Sequence, residues 1–194
     1  MPAPLTIGLT GGIAAGKSTA LAAFERLGTA TVSSDAIVHE LLDSEPMLAR
    51  LVERWGPEVV DDGTVNRHKV GEIVFADPGE LSWLEAQIHP LVGERIGAWL
   101  ASLPGTAKVA VVEVPLLFES EMDGVFDTTV AVVTADEVRQ ARAEERGHAL
   151  VGEREARQLT QEEKASRAEH VVRNDGSPED LERALSALVE KLRE

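Results

Sequence analysis

No cysteine occurs among the 194 residues, which excludes a disulfide framework, a thiolate zinc site and a cysteine nucleophile. Long apolar runs are missing too. The longest, residues 109–118, is broken by Glu113 and Pro115 and falls far short of the roughly 20 residues a membrane span needs. The first sixteen residues hold no charged side chain, so the basic start of a secretory signal is lacking and a cytoplasmic location is expected. Basic charge is scarce: the net charge is −15, which argues against general binding to nucleic acid or to an anionic membrane. The deficit is uneven. Residues 32–135 hold six basic and eighteen acidic side chains, whereas residues 1–31 sum to +1 and residues 136–167 to −1. A polyanion would be accepted most readily by those near-neutral stretches, and acidic surface elsewhere favours a soluble monomer.

Strand-like and helix-like segments alternate along the chain. Residues 5–10 form a short apolar run ending at two glycines and read as a buried strand. A helix follows from Ser18 to Leu27, with Gly28 as its stop, then a β-branched strand over residues 29–32. Ser33-Ser34-Asp35 signals the start of a helix running through Leu42. Residues 47–103 read as mostly helical, with breaks at Gly56-Pro57, Asp61-Asp62-Gly63, Asp77-Pro78-Gly79 and His89-Pro90. Residues 109–114 and 128–133 have the near-continuous apolar character of central parallel strands. Residues 136–167 are charged and helical, 169–172 suggest a last strand, and Asn174-Asp175-Gly176 a turn. The terminal helix over 178–192 presents Leu181, Leu185, Leu188 and Leu192 on one face. This alternation indicates an α/β fold with a parallel sheet. The helical stretch between the second and third strands is too long for a simple crossover and reads as an inserted subdomain.

Gly11-Gly12-Ile13-Ala14-Ala15-Gly16-Lys17-Ser18 satisfies the pattern G-x-x-x-x-G-K-[ST] between a strand and a helix. A compact loop of this spacing turns its backbone N–H groups toward phosphate oxygens, and the following helix directs its positive dipole end at the same anion. Lys17 can reach the β- and γ-phosphates, and the Ser18 hydroxyl can bind Mg²⁺. The loop announces a nucleoside triphosphate but not its use. A guanine-reading N-K-x-D is absent, because neither Asn66 nor Asn174 precedes a lysine, and no D-x-x-G switch motif occurs. A DNA-dependent ATPase would need a basic track. A kinase of a small hydroxylic acceptor fits the two extra helical regions best.

Asp35 lies just past the second strand, at the carboxyl edge of the sheet where α/β proteins place ligands. It either orients an attacking hydroxyl and takes its proton or favours a helix N-terminus through the dipole. Arg139, Arg142, Arg146, Arg154 and Arg157 form a basic cluster in a segment that Gly147 could let bend. One of them could stabilise charge on transferring phosphate, against the alternative of a solvated face paired with Glu137, Glu144, Glu145, Glu153 and Glu155. Arg139 has the neighbours of such a solvated face. Glu113, at a strand end, could hold a metal-bound water or serve as a structural partner. His39, His68, His148 and His170 have no metal-ligand spacing, and no metal beyond the nucleotide's Mg²⁺ is expected.

Taken in chain order, the residues resemble a known family, the dephospho-CoA kinases. Ile7-Gly8-Leu9-Thr10-Gly11-Gly12-Ile13 leading into Gly16-Lys17-Ser18 is similar to that family's phosphate loop. Asp35-Ala36-Ile37-Val38, Asp62-Gly63 with Arg67, Ile73-Val74-Phe75, and His89-Pro90-Leu91 follow in the family's order. Val114-Pro115-Leu116-Leu117-Phe118-Glu119 resembles its most distinctive string. Arg142 with Arg146, Gln158, Lys164 and Asn174-Asp175-Gly176-Ser177 complete the pattern. Two departures stand out. Ala14-Ala15 occupies positions where the family has Gly-Ser, so the loop is expected to use dihedrals that alanine tolerates. Ser33-Ser34-Asp35 stands where the family has Asp-Ala-Asp, with the aspartate that faces the acceptor retained.

The resemblance implies a three-layer α/β/α P-loop kinase with a parallel sheet, an inserted helical acceptor-binding subdomain and a helical lid. The core would span about residues 1–34, 104–135 and 168–194, the insertion about 35–103 and the lid about 136–167. It implies ATP-dependent phosphorylation of the ribose 3′-hydroxyl of dephospho-CoA, the alternative being another small-molecule or nucleoside monophosphate kinase. Lys17, Asp35 and Arg142 would be catalytic. Gly11, Gly12, Ile13, Ala14, Ala15, Gly16, Lys17, Ser18 and Thr19, with Asn174 and Gly176 near adenine, would hold ATP, and Ser18 its Mg²⁺. Thr10, Asp35, Arg67, His89, Pro115 and Leu116 would face the acceptor.

Overall fold

The computed structural model describes residues 3–145 and 158–193. Its larger sheet is built from β1 (Leu5–Gly11), β2 (Ala30–Ser33), β5 (Val109–Glu113), β6 (Thr128–Val133) and β7 (His170–Arg173), in the order β2-β5-β1-β6-β7. All four pairings are parallel. Every residue of β5 and β6 is buried, in keeping with their apolar and threonine sequence, to which only Glu113 at the end of β5 is an exception. Helix α1 (Lys17–Arg26) and the terminal helix, α8 (Pro178–Leu192), close one face. There Phe24, Leu181, Leu185 and Val189 pack with Ile7, Leu9, Val111 and Val132. On the other face Leu117 and Phe126 lie over β1 at Gly8. Helices α6 (Asp136–Glu145) and α7 (Gln161–Arg167) complete the described part of this unit. Strands are laid down on both sides of β1, with β5 on one side and β6 on the other, so the carboxyl end of β1 lies at the crevice where open α/β sheets bind ligands.

The chain divides into two compact units, Met1–Ser33 with Leu103–Glu194, and Ser34–Ser102. The second holds α2 (Ser34–Leu42), α3 (Glu45–Trp55), α4 (Arg67–Ala76), α5 (Pro78–Ser102) and a two-strand hairpin, β3 (Val60–Asp61) with β4 (Thr64–Val65). Within it Arg54 donates to both carboxylate oxygens of Glu80 and Trp55 Nε1 donates to one of them. These contacts hold the Glu80 carboxyl below its ordinary range, the Arg54 hydrogen bond being the largest cause.

Several local expectations are corrected. The chain does not break at His89-Pro90: α5 runs on through Pro90. Proline removes one helical hydrogen bond, but Ile88, Val92 and Ile96 are all buried at four-residue spacing across it, and burying that stripe keeps the helix intact. Thr29 lies outside β2 because its N–H and hydroxyl both donate to Phe24 O, closing the end of α1. Glu169 precedes β7 rather than starting it: its N–H donates to Thr129 Oγ1 and its carboxylate accepts from Thr128 Oγ1. On α8 the buried stripe is Leu181, Leu185 and Val189, with Leu188 and Leu192 partly buried at its margin.

Candidate active site

Residues 11–16 lead from the end of β1 to the first turn of α1. Gly16, the residue before α1, has φ +94°, and a Cβ there would come within 2.1 Å of Asn174 Nδ2. Glycine is therefore required twice over, by the left-handed backbone and by the close approach. Ala14 is not in a conformation that alanine adopts readily. Its φ of 60° is left-handed, at a cost of roughly 1–2 kcal/mol, so the expectation of alanine-tolerant dihedrals fails there. No side chain caps α1 and no acidic residue lies in its first turn. Its leading amides are thus left for an anion. The Lys17 ammonium folds back over the loop and donates to Gly11 O at 3.1 Å and Gly12 O at 3.0 Å. Ser18 is exposed on the next position of α1, followed by the half-buried Thr19. An exposed hydroxyl beside uncapped amides and an ammonium suits a magnesium-bearing polyphosphate. Among the described residues no group of three acidic or histidine side chains could hold a metal unaided.

Three side chains from distant parts of the sequence lie against this loop. Asn174 is 3% exposed and its Nδ2 donates to Ala15 O at 2.9 Å, so its amide anchors the loop backbone. Arg142 Nη1, from α6, lies 3.8 Å from the Cβ position of Gly16 and is buried with no hydrogen-bond partner among the described residues. Gln161, in the first turn of α7, accepts from Thr134 N at 2.8 Å and donates to Thr134 O at 2.9 Å, and its Cβ lies 3.4 Å from that of a side chain built at Gly12. Gln161 was not anticipated, although Thr160 and Glu163 form a capping box of the S/T-x-x-E type that would have placed it on a helix start. Thr160 N–H holds the Glu163 carboxyl below its ordinary range, and Ala135 N–H does the same for Asp175.

Arg139 does not sit on an ordinary solvated face. Its side chain is 25% exposed, its Nη2 lies 3.2 Å from Asp136 Oδ1, and it borders a cleft of about 190 Å³ with Gly12, Ile13, Gln158 and Gln161. Arg146, Gly147, Arg154 and Arg157 lie outside the described residues. Thr10, fully buried, donates through Oγ1 to Pro115 O, and Leu116 beyond it is 38% exposed. Glu113 is 6% exposed at the end of β5, in register with Leu9 of β1 and Ser33 of β2. A side chain at Gly176 would meet Asp180 Oδ2 at 2.7 Å; that glycine leaves room for the capping box between Ser177 and Asp180.

The other anticipated site residues belong to the second unit. Asp35 is the exposed second residue of α2, two positions past the end of β2. Arg67 opens α4 and its Nη2 donates to Asp43 Oδ2 at 3.1 Å, while Asp43 Oδ1 accepts from Val65 N. His89 is exposed on α5. Among the described residues no helix is long and apolar enough to cross a membrane.

The family model for dephospho-CoA kinase matches residues 5–180. The dephospho-CoA kinase of Symbiobacterium thermophilum is 42% identical, over 88% of this chain and 74% of that one. The crystal structure of a Thermus thermophilus protein superposes with a TM-score of 0.84 at 36% identity, covering 98% of this chain and 99% of that one. Dephospho-CoA kinase from Campylobacter jejuni gives a TM-score of 0.73 at 25% identity, over 97% and 96% of the two chains. A P-loop at the switch point of a parallel sheet and this likeness over nearly the whole length lead to one assignment: the chain belongs to the dephospho-CoA kinase family.

Proposed function

We propose that the protein transfers the γ-phosphoryl group of ATP to the ribose 3′-hydroxyl of dephospho-CoA, giving ADP and CoA. The family match over residues 5–180 supports the acceptor, and the phosphate loop supports the donor: uncapped α1 amides, the Lys17 ammonium and the buried Nη1 of Arg142 gather beyond the carboxyl end of β1. The acceptor oxygen forms the new bond to phosphorus, the bond to the ADP oxygen breaks, and the hydroxyl proton passes to Asp35. Lys17 and the amides of residues 11–19 hold the phosphates, and Arg142 faces charge on the transferring group. Ser18 would hold the Mg²⁺ that accompanies ATP, which would offset negative charge on the phosphates. The Asn174–Gly176 turn lies beside adenine, with the Asn174 amide bracing the loop from behind. Thr10, Pro115, Leu116, Arg67 and His89 serve the acceptor, residues 35–103 forming its subdomain, and α6 and α7, the described parts of the expected lid, border the nucleotide. The protein acts as a cytoplasmic monomer on small molecules, without nucleic acid or membrane.

An acceptor screen tests this. ADP release from ATP and Mg²⁺ is followed with dephospho-CoA, adenosine, nucleoside monophosphates, pantothenate and shikimate. Dephospho-CoA is expected to exceed every other acceptor widely. A nucleoside monophosphate as best acceptor would overturn the substrate while leaving a P-loop kinase.

A further inference from the structure

Among the described residues, Lys164 on α7 is a fully buried basic side chain, 0% exposed. Its ammonium donates to Pro115 O and pairs with Glu119 Oε1 at 3.0 Å. Both acceptors are shared. Pro115 O also accepts from Thr10 Oγ1 at 3.2 Å, and Glu119 Oε1 from Leu159 N at 2.9 Å. Two oxygen atoms thereby join three stretches of chain: the last residue before the phosphate loop, the segment that follows Glu113 out of β5, and residues 159–164. Stability alone is a poor reason for this arrangement, because a buried ion pair must repay the desolvation of both charges and an apolar pair of similar volume often does as well. Here Glu119 Oε2 is buried with no partner among the described residues, a further cost. What the pair supplies is a fixed relation between the ends of β1 and β5.

We propose that Lys164 and Glu119 are positioning residues of phosphoryl transfer, setting Thr10 and the phosphate loop against the Glu113–Pro115 segment without touching substrate. The proposal rests on the reading that this loop holds the ATP phosphates. Misplacement of a reacting geometry lowers rate more than affinity, so the effect belongs in kcat.

The test compares wild type, Lys164→Met, Lys164→Met/Glu119→Gln and Glu119→Gln by thermal denaturation and by kcat and KM with ATP and dephospho-CoA. Wild-type turnover is the control: its absence would overturn the function, whereas active wild type with unaffected variants overturns only this inference. Lys164→Met leaves a buried carboxylate unpaired and is expected to melt lower. The double variant removes both charges and is expected to regain most of the melting temperature, while kcat stays down about thirtyfold and KM for ATP moves less than about threefold. A double variant that recovers kcat along with its melting temperature would make the pair merely structural. Glu119→Gln keeps volume and one acceptor oxygen, and decides the matter if either Lys164 variant does not fold. A loss of about tenfold in kcat at unchanged KM is expected, and full activity overturns the proposal.

Discussion

At the scale of single residues, the proposed function gives Lys17 to the phosphates and Asp35 to the acceptor. The Lys17 ammonium already lies over Gly11 O and Gly12 O, so it needs only to turn from the loop carbonyls to the phosphates. Lys17→Ala removes a charge aimed where negative charge redistributes, and kcat is expected to fall by about a hundredfold or more. Asp35 stands exposed at the start of α2, and Asp35→Asn is expected to lower kcat by about a hundredfold with ATP affinity little changed. Steady-state kinetics with calorimetry of ATP binding distinguishes the two. Near-normal turnover in Asp35→Asn would reduce that residue to a favourable charge at a helix N-terminus. Arg142 and Arg139 show how far a charge pattern alone can be trusted at this scale. Their i, i+3 spacing was visible, but not that Arg142 brings a buried Nη1 toward Gly16 while Arg139 borders the cleft beside Gly12.

At the scale of elements, local rules succeed where the determinant is local. The strand–G-x-x-x-x-G-K-S–helix unit was legible because loop, lysine and helix start are contiguous. The buried strands β5 and β6 were legible because their apolar runs exceed what a half-exposed strand carries. Helix α5 was not. The proline rule is local, whereas the stripe Ile88, Val92 and Ile96 acts through tertiary burial. Pro90 is itself exposed, so Pro90→Ala should restore the missing hydrogen bond without disturbing the core. An increase in unfolding free energy of about 1–3 kcal/mol is expected by urea denaturation. A loss would mean that the proline stabilises a bend that α5 needs. The bracing contacts were equally hidden: Asn174 reaches Ala15 across 159 positions and Lys164 reaches Pro115 across 49, and nothing in either short sequence names the other.

At the scale of the whole molecule, the acidic excess is uneven along the chain: residues 32–135 carry most of it, while residues 1–31, which include the phosphate loop, sum to +1. Several carboxylates have structural work of their own. Asp175 accepts from Ala135 N at 2.6 Å and from Thr134 Oγ1 at 3.2 Å, tying the end of β6 to the turn before α8. Its carboxyl is held below the ordinary value of 3.8, with Ala135 N–H the largest cause. A depressed folded value means that the contribution is complete above the ordinary carboxylate range and is lost as pH falls through it. Asp175→Asn should therefore melt below wild type at neutral pH and converge on it in acid, as followed by melting temperature against pH. A gap that stays constant into acid would contradict the assignment. The central claim is narrower than kinase activity, because it fixes both acceptor and atom. Its most direct measurement is phosphorus NMR of the product formed from ATP, Mg²⁺ and dephospho-CoA. The account predicts one new phosphomonoester resonance, coupled to the ribose 3′ proton, with equal release of ADP. A phosphomonoester at any other position, or ADP release with inorganic phosphate as the only other new phosphorus species, would contradict it.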